Sequence, residues 1–259
     1  TEKYNTFWKE FGIVMKEGIY EDFDLKNEIL EISKFHSMKL NKDVFLSEYS
    51  EEMNPEQKEI FYIASESKEM AEGSPHLEVF KKKKLDVLFF TDPIDTFWLS
   101  MAGEFQGKKF TSITKGDIDL SAFSDEKKKK EKKDNIVIDG LVKKIKDILG
   151  ENVQDVKTSS KLVDSPCCLV APDSGMDVQM ERIMKIQNKD FKGMPRILEI
   201  NPDHDIIKKL NDIKDKEDDA LKDAAYLLFD QAKMVEGELP LDISLFNKRL
   251  SKFMGLALK

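Results

Sequence analysis

"EIFYIASESKEMAEGSPHLEVFKKKKLDVLFFTDPIDTFWLSMAGEF" (residues 59–105) decides the fold. "EIFYIAS" is rich in aromatic and β-branched residues and predicts a strand. "SPHLEVFKKK" predicts a helix with Pro75 in its first turn, where a missing N–H costs nothing. "DVLFFT" is a continuous apolar run, the pattern of a strand covered on both faces. "DPIDTFWLSMAGEF" predicts a second helix, with Asp92 as N-cap, Pro93 as first helical residue and Asp95 as a first-turn charge. Strand, helix, strand, helix implies a small α/β unit with a parallel pair at its centre.

Upstream, "YNTFWKEFGIVMKEGIYED" places Phe7, Trp8, Phe11, Met15 and Ile19 at helical spacing. "DLKNEILEISKF" does the same with Leu25, Ile29, Ile32 and Phe35, so two helices are expected to pack together. "FLSEYSEEM" reads as helix. Downstream, "SDEKKKKEKKDN" (124–135) holds no apolar residue and is a linker or the exposed start of a helix. It divides the chain into 1–123 and 136–259. Ile138, Leu141, Val142, Ile145, Ile148 and Leu149 then form an amphipathic helix that stops at Gly150. "NVQDVKTSSKLV", "PCCLVAP" and "MPRILEINP" read as strands. The fold class is α/β in the mixed α+β sense: a small α/β unit with preceding helices, then an α+β domain ending in a helical hairpin.

Two stretches invite a surface role. In "SGMDVQMERIMKIQNKD" (174–190), Met176, Met180 and Met184 recur every four residues with Ile183 beside them, so they share one side of a helix. Asp177, Glu181, Arg182 and Lys185 occupy the other side. Methionine either fills irregular core gaps or adapts to unlike partners, and spacing leaves both readings open. At the chain end, Leu221, Ala224, Ala225, Leu228, Ala232 and Val235 form one stripe. Phe246, Leu250, Phe253, Met254 and Ala257 form another. Such a hairpin docks on its own domain or meets a second copy in a four-helix arrangement.

Composition bounds the rest. The 259 residues suffice for one large domain or two smaller ones; 40% are hydrophobic and 36% charged, with a formal net charge of −8. An acidic balance argues against general nucleic-acid binding. No apolar run approaches the roughly 18–20 residues of a membrane span, and no secretory signal opens the chain. It starts at Thr1, so it is expected to begin inside a longer gene product. The adjacent Cys167 and Cys168 lack C-x-x-C or histidine company and read as buried reduced thiols, which fits the cytosol.

Catalytic patterns are absent: no G-x-G-x-x-G, Walker A, H-E-x-x-H or G-x-S-x-G sequence occurs. His36, His76 and His204 are scattered without metal-ligand spacing, and His204 in "NPDHD" suits the first turn of a helix after Pro202. Capping accounts for Asp92 and Asp95 without acid/base chemistry. The lysine runs at 81–84 and 127–130 lack interleaved aromatics and read as solvated faces.

Taken jointly, "FWKEFG…MKEGIYED", "SPHLEVFKKK", "DVLFFTDPID", "EFQGKKFTSITKGDIDL", "KLVDSPCCLV", "ILEINPDH" and "LLFDQAKMVEGELPLD…FNKRL" resemble, in order, the heat-shock protein 90 chaperone family, most closely its bacterial branch. The resemblance covers essentially the whole chain and matches the later middle domain and the C-terminal dimerisation domain. Lys84 departs from it where glycine is usual; a left-handed lysine there costs on the order of 1 kcal/mol. Asp205 departs where proline or an aliphatic residue is common. The resemblance implies an ATP-driven, stress-responsive cytoplasmic chaperone. The family's ATPase domain has no counterpart in these residues, so neither nucleotide nor magnesium is expected to bind here. It also implies client contact at Phe97, Trp98, Met176, Met180, Ile183 and Met184, with the methionine face exposed. A homodimer through Leu221, Ala225, Leu228, Ala232, Phe246, Leu250, Phe253 and Met254 is implied as well. Neither nucleic acid nor membrane is an expected partner, and no metal or cofactor is.

Overall fold

A computed structural model describes residues 2–258 except 23, 117, 124–130, 173, 174, 177, 189, 192 and 217, and gives the backbone alone for 131–137. Asp177 and most of the charged stretch 124–135 therefore lie outside the described residues. Two compact units emerge: unit 1 is Thr1–Glu72, Phe80–Phe123 and Met176–Lys192, and unit 2 is Gly73–Val79, Ser124–Gly175 and Gly193–Lys259. Two short segments thus belong to the unit that sequence order would not assign.

Unit 1 opens with α1 (Glu2–Glu21) and α2 (Lys26–Ile32), which pack together. Gly18 permits the approach, since a Cβ there would lie 2.7 Å from Ile29 Cδ1. The chain then makes β1 (Lys34–Ser37), β2 (Lys42–Phe45), α3 (Leu46–Glu52), β3 (Glu59–Ala64), α4 (Lys68–Glu72), α5 (Glu78–Lys83), β4 (Leu88–Phe90), α6 (Asp95–Ala102), β5 (Glu104–Phe105) and β6 (Lys108–Ser112). One six-stranded sheet results, in the order β2-β1-β4-β3-β6-β5. β3 pairs in parallel with β4, as the alternation of patterns predicts, and also with β6. Ile60, Leu88, Phe90 and Trp98 are almost wholly enclosed in its core.

Two expectations need correction. Phe35 lies in β1, not at the end of a helix, because Ser33 turns extended (φ −75°, ψ 141°) and the chain pairs with β2 and β4. The outer hairpins β1–β2 and β5–β6 carry no strong alternation and are not legible as strands. α6 begins at Asp95, and Ile94 caps it without a side-chain bond. Asp92 instead takes an ion pair from Lys16 at 2.7 Å. Lys84 does adopt the left-handed conformation, at φ 56°.

Unit 2 holds α7 (Glu131–Leu149), β7 (Asp155–Thr158), β8 (Cys167–Val170), β9 (Ile197–Ile200), α9 (Asp205–Ile213), α10 (Asp218–Val235) and α11 (Ile243–Ala257). The sheet order is β7-β9-β8, with β9 parallel to β7 and antiparallel to β8. α7 lies on β7 and α10 on β8. Gly150, at φ 55°, ends α7. His204 is the N-cap of α9, its Nδ1 accepting from the Ile206 N–H at 3.2 Å. Cys167 and Cys168 are free and buried.

Candidate functional site

The methionine stretch forms α8 (Val178–Gln187), which packs beside α6 within unit 1. Both of its sides are partly covered, and on the charged side Glu181 is the buried residue. Glu181 is buried and pairs with Lys185 at 2.8 Å, while Arg182 reaches Glu66 at 3.0 Å. Val178 adds the buried apolar contact. Met180, Ile183 and Met184 are half-buried, neither core nor open surface. Met176 precedes the helix and is 45% exposed; Ile186 near its end is 75% exposed. Ile186 follows Ile183 by three residues, a helical interval the four-residue methionine count passes over.

α6 sorts its two aromatic candidates differently. Phe97 is half-buried. Trp98 is 0% exposed, with its ring 5.4 Å from Phe90, 5.6 Å from Phe35 and 5.5 Å from Phe110. Its indole N–H donates to Asp95 Oδ1 at 2.9 Å. Trp98 is therefore a core residue and leaves the client-contact set. Met101, four residues beyond Phe97, is 47% exposed and was legible at that spacing.

Asp95, itself wholly buried, also receives Lys16 at 2.9 Å and the Asp92 N–H at 3.1 Å. Lys16 lies 4.6 Å from the centre of the Phe35 ring. A buried cation closing two carboxylates fixes the turn 91–95 and the start of α6; it is structural chemistry, not an acid/base pair.

The terminal helices also divide. Leu221, Ala225, Leu228 and Ala232 of α10 are 0–4% exposed, packed in a core with Leu141, Ile145, Leu169 and Leu198. They are covered within their own chain. α11 has no buried residue. Asp242 caps it, accepting from the Leu245 N–H at 2.9 Å. Phe246 and Phe253 are half-buried, Phe253 against the core of its own unit. Leu250 and Met254 are 40% and 56% exposed, and Ile243, Leu245 and Leu256 are likewise open.

Comparison with known proteins shows the family. The Hsp90 protein family matches residues 1–259, the entire chain. The chain belongs to the Hsp90 family. It is 40% identical over 258 residues to the chaperone protein HtpG of Mesorhizobium japonicum, covering 98% of this chain and 41% of that protein. HtpG of Burkholderia ambifaria is 40% identical over 256 residues, covering 98% and 40% of the two chains. HtpG of the Wolbachia symbiont of Brugia malayi is 40% identical over 263 residues, covering 98% and 41%. This Hsp90-family chain thus spans about two fifths of the length of the curated relatives it matches. Among its described residues no helix is long and apolar enough to cross a membrane.

Proposed function

We propose that the chain is the part of an ATP-driven Hsp90-type chaperone, of the HtpG kind, that pairs two subunits and holds non-native client proteins in the cytoplasm. On this reading it corresponds to the later middle domain and the C-terminal dimerisation domain. α11 carries the proposal. A 15-residue helix with no buried residue leaves Ile243 54%, Leu250 40%, Met254 56% and Leu256 56% exposed. Covering such side chains is favourable at roughly 25 cal/mol per Å². A second copy supplies a self-complementary cover, and a stable interface of this kind buries about 1,200–2,000 Å² in total.

Client contact is assigned to Phe97, Met176, Met180, Ile183 and Met184, with Met101 and Ile186 added for their exposure. Flexible thioethers suit unlike sequences. The half-burial of Met180, Ile183 and Met184 favours a second reading, a dimerisation module whose clients are held mainly elsewhere in the full-length protein. Nucleotide and magnesium are assigned to parts of the full-length protein outside these residues, so titration of the chain with magnesium-ATP should give no saturable heat.

Sedimentation decides the pairing. The unmodified chain should run as a dimer, and the Leu250→Asp, Met254→Asp variant as a folded monomer. A variant that stays dimeric removes α11 from the interface. Suppression of aggregation of an unfolding test protein by the unmodified chain separates the two readings: activity supports client holding, and inactivity leaves the dimerisation module.

A further inference from the structure

Three sequence stretches that clients and dimerisation leave unused meet inside unit 2: Ser74–Glu78, the loop 159–166 and Asn201. Glu78 sends its carboxylate to the loop. Its Oε2 accepts from the backbone N–H groups of Val163 at 2.6 Å and Asp164 at 2.8 Å, and its Oε1 from that of Ser165 at 3.0 Å. Successive N–H groups aimed at one point form a nest for an anion.

The loop is held from its other side by groups that do not involve Glu78. Asn201, 2% exposed, donates through Nδ2 to the Val163 carbonyl at 3.3 Å and the Ser165 carbonyl at 3.1 Å. Its backbone N–H donates to the Pro166 carbonyl at 2.8 Å. Ser159 donates to Glu199 at 2.6 Å and accepts from the Lys161 N–H at 3.1 Å. With the carbonyls tied inward, the N–H groups face Glu78 ready-made.

A second fastening lies two residues earlier. His76, wholly buried, sets Nε2 at 3.1 Å from the Leu169 carbonyl and 3.4 Å from Glu236 Oε1. Facing two oxygens, Nε2 carries the proton. Leu77 is buried beside it. The segment adds no strand to the sheet; it consists of the 3-10 turn Pro75–Leu77 and the first two residues of α5, Glu78 and Val79. In sequence it is flanked on both sides by residues of unit 1, Glu72 and Phe80.

We propose that the loop 159–166 is a carboxylate-binding nest whose built-in ligand is Glu78, and that this occupancy fastens residues 73–79 as a strap on unit 2. Recognition is by backbone N–H groups, so it asks for a small carboxylate of any origin and rejects a neutral amide of the same shape. Emptied of Glu78, the nest takes a free carboxylate. The proposal stands apart from the client and dimer readings and survives their failure.

Amide hydrogen exchange on the whole chain tests it, with β9 as the internal measure of folding. In Glu78→Ala, the N–H groups of 163–165 should exchange about tenfold faster or more, as befits loss of charge-assisted bonds. The strap should loosen while β9 is unchanged. Sodium formate, in graded amounts, should restore protection at 163–165; formamide and sodium chloride at equal concentration should not. Unchanged exchange at 163–165, or failure of formate to restore it in a folded variant, overturns the proposal. Should Glu78→Ala unfold, Glu78→Gln supplies the same readout: faster exchange at 163–165 with β9 intact supports the nest, and wild-type exchange overturns it.

Discussion

Replacing Lys16 by methionine tests what holds the first half of the chain together. Lys16 is 3% exposed and closes ion pairs of 2.7 Å with Asp92 and 2.9 Å with Asp95. Burial alone would lower its pKa, but Asp95 and Asp92 outweigh burial and raise it, so the ammonium is charged at neutral pH. Methionine fills a similar volume, which keeps a cavity term out of the loss. Removing one partner of a buried pair costs about 3–5 kcal/mol, chiefly because the other charge is stranded. Asp95 keeps two donors, the Trp98 indole at 2.9 Å and the Asp92 N–H at 3.1 Å. Asp92, 31% exposed at its side chain, can be hydrated. Both place Lys16→Met at the low end, about 3 kcal/mol. Adding Asp95→Asn removes the stranded charge and keeps one oxygen for the indole, but its amide nitrogen then meets the Asp92 N–H, so it should recover only about 1 kcal/mol. Urea unfolding followed by tryptophan fluorescence is the assay, because Trp8 and Trp98 both belong to unit 1 and report it alone. A cost below about 0.5 kcal/mol for Lys16→Met, or a further loss on adding Asp95→Asn, refutes the reasoning.

Met180→Ser with Met184→Ser, at half-buried positions, should cost about 1–2 kcal/mol and abolish most aggregation suppression while the dimer persists; a loss near 5 kcal/mol would return this face to the core. Leu228→Ala, at a 4% exposed site, should cost about 2–5 kcal/mol in a thermal melt and leave the folded chain dimeric, which separates α10 from α11. Cys167 and Cys168 should resist alkylation until the chain unfolds, since both are buried and burial pushes the Cys167 thiol up to about 12; rapid native-state labelling would contradict this. At Glu78, burial raises the carboxyl, but Ser165 and the N–H groups of 163–165 outweigh it and hold it below the ordinary glutamate range. The nest's contribution is then complete above that range and lost as pH falls through the lowered value, so protection factors at 163–165 should stay level from neutral pH down to the ordinary glutamate range and drop below it.

Local patterns carried the fold where a segment's structure follows from its own residues. The parallel β3–β4 pair, the stop of α7 at Gly150 and both terminal helices follow from spacing, caps and breakers. Partners distant in sequence were hidden. Leu25, Ile29, Ile32 and Phe35 fit a helical period, yet Phe35 turns into β1 because β4, more than fifty residues on, needs a neighbour. Asp92 satisfies every local rule for a cap; its actual partner Lys16 lies 76 residues away. The α10 stripe was correctly seen as apolar, but its cover is β8 and α7 of the same chain, not a second copy. Trp98 and Phe97 are adjacent on one helix, and adjacency cannot tell which of them faces the sheet. Glu78 gives no signal at all, since most of the groups that bind it are backbone.

The outer strands of the unit 1 sheet bear on what happens when this chain meets unfolded polypeptide. A long, flat, apolar edge would offer its unpaired N–H and carbonyl groups to any extended chain and grow by strand addition. One edge is β2, four residues long and opening with the exposed Lys42 and Asp43; the other is β5, two residues long. Neither gives an incoming strand enough register to hold, and the charges on β2 penalise an apolar newcomer. If the chain gathers non-native polypeptide on its helices, as proposed, these short and charged edges keep its own sheet from being recruited into the aggregates.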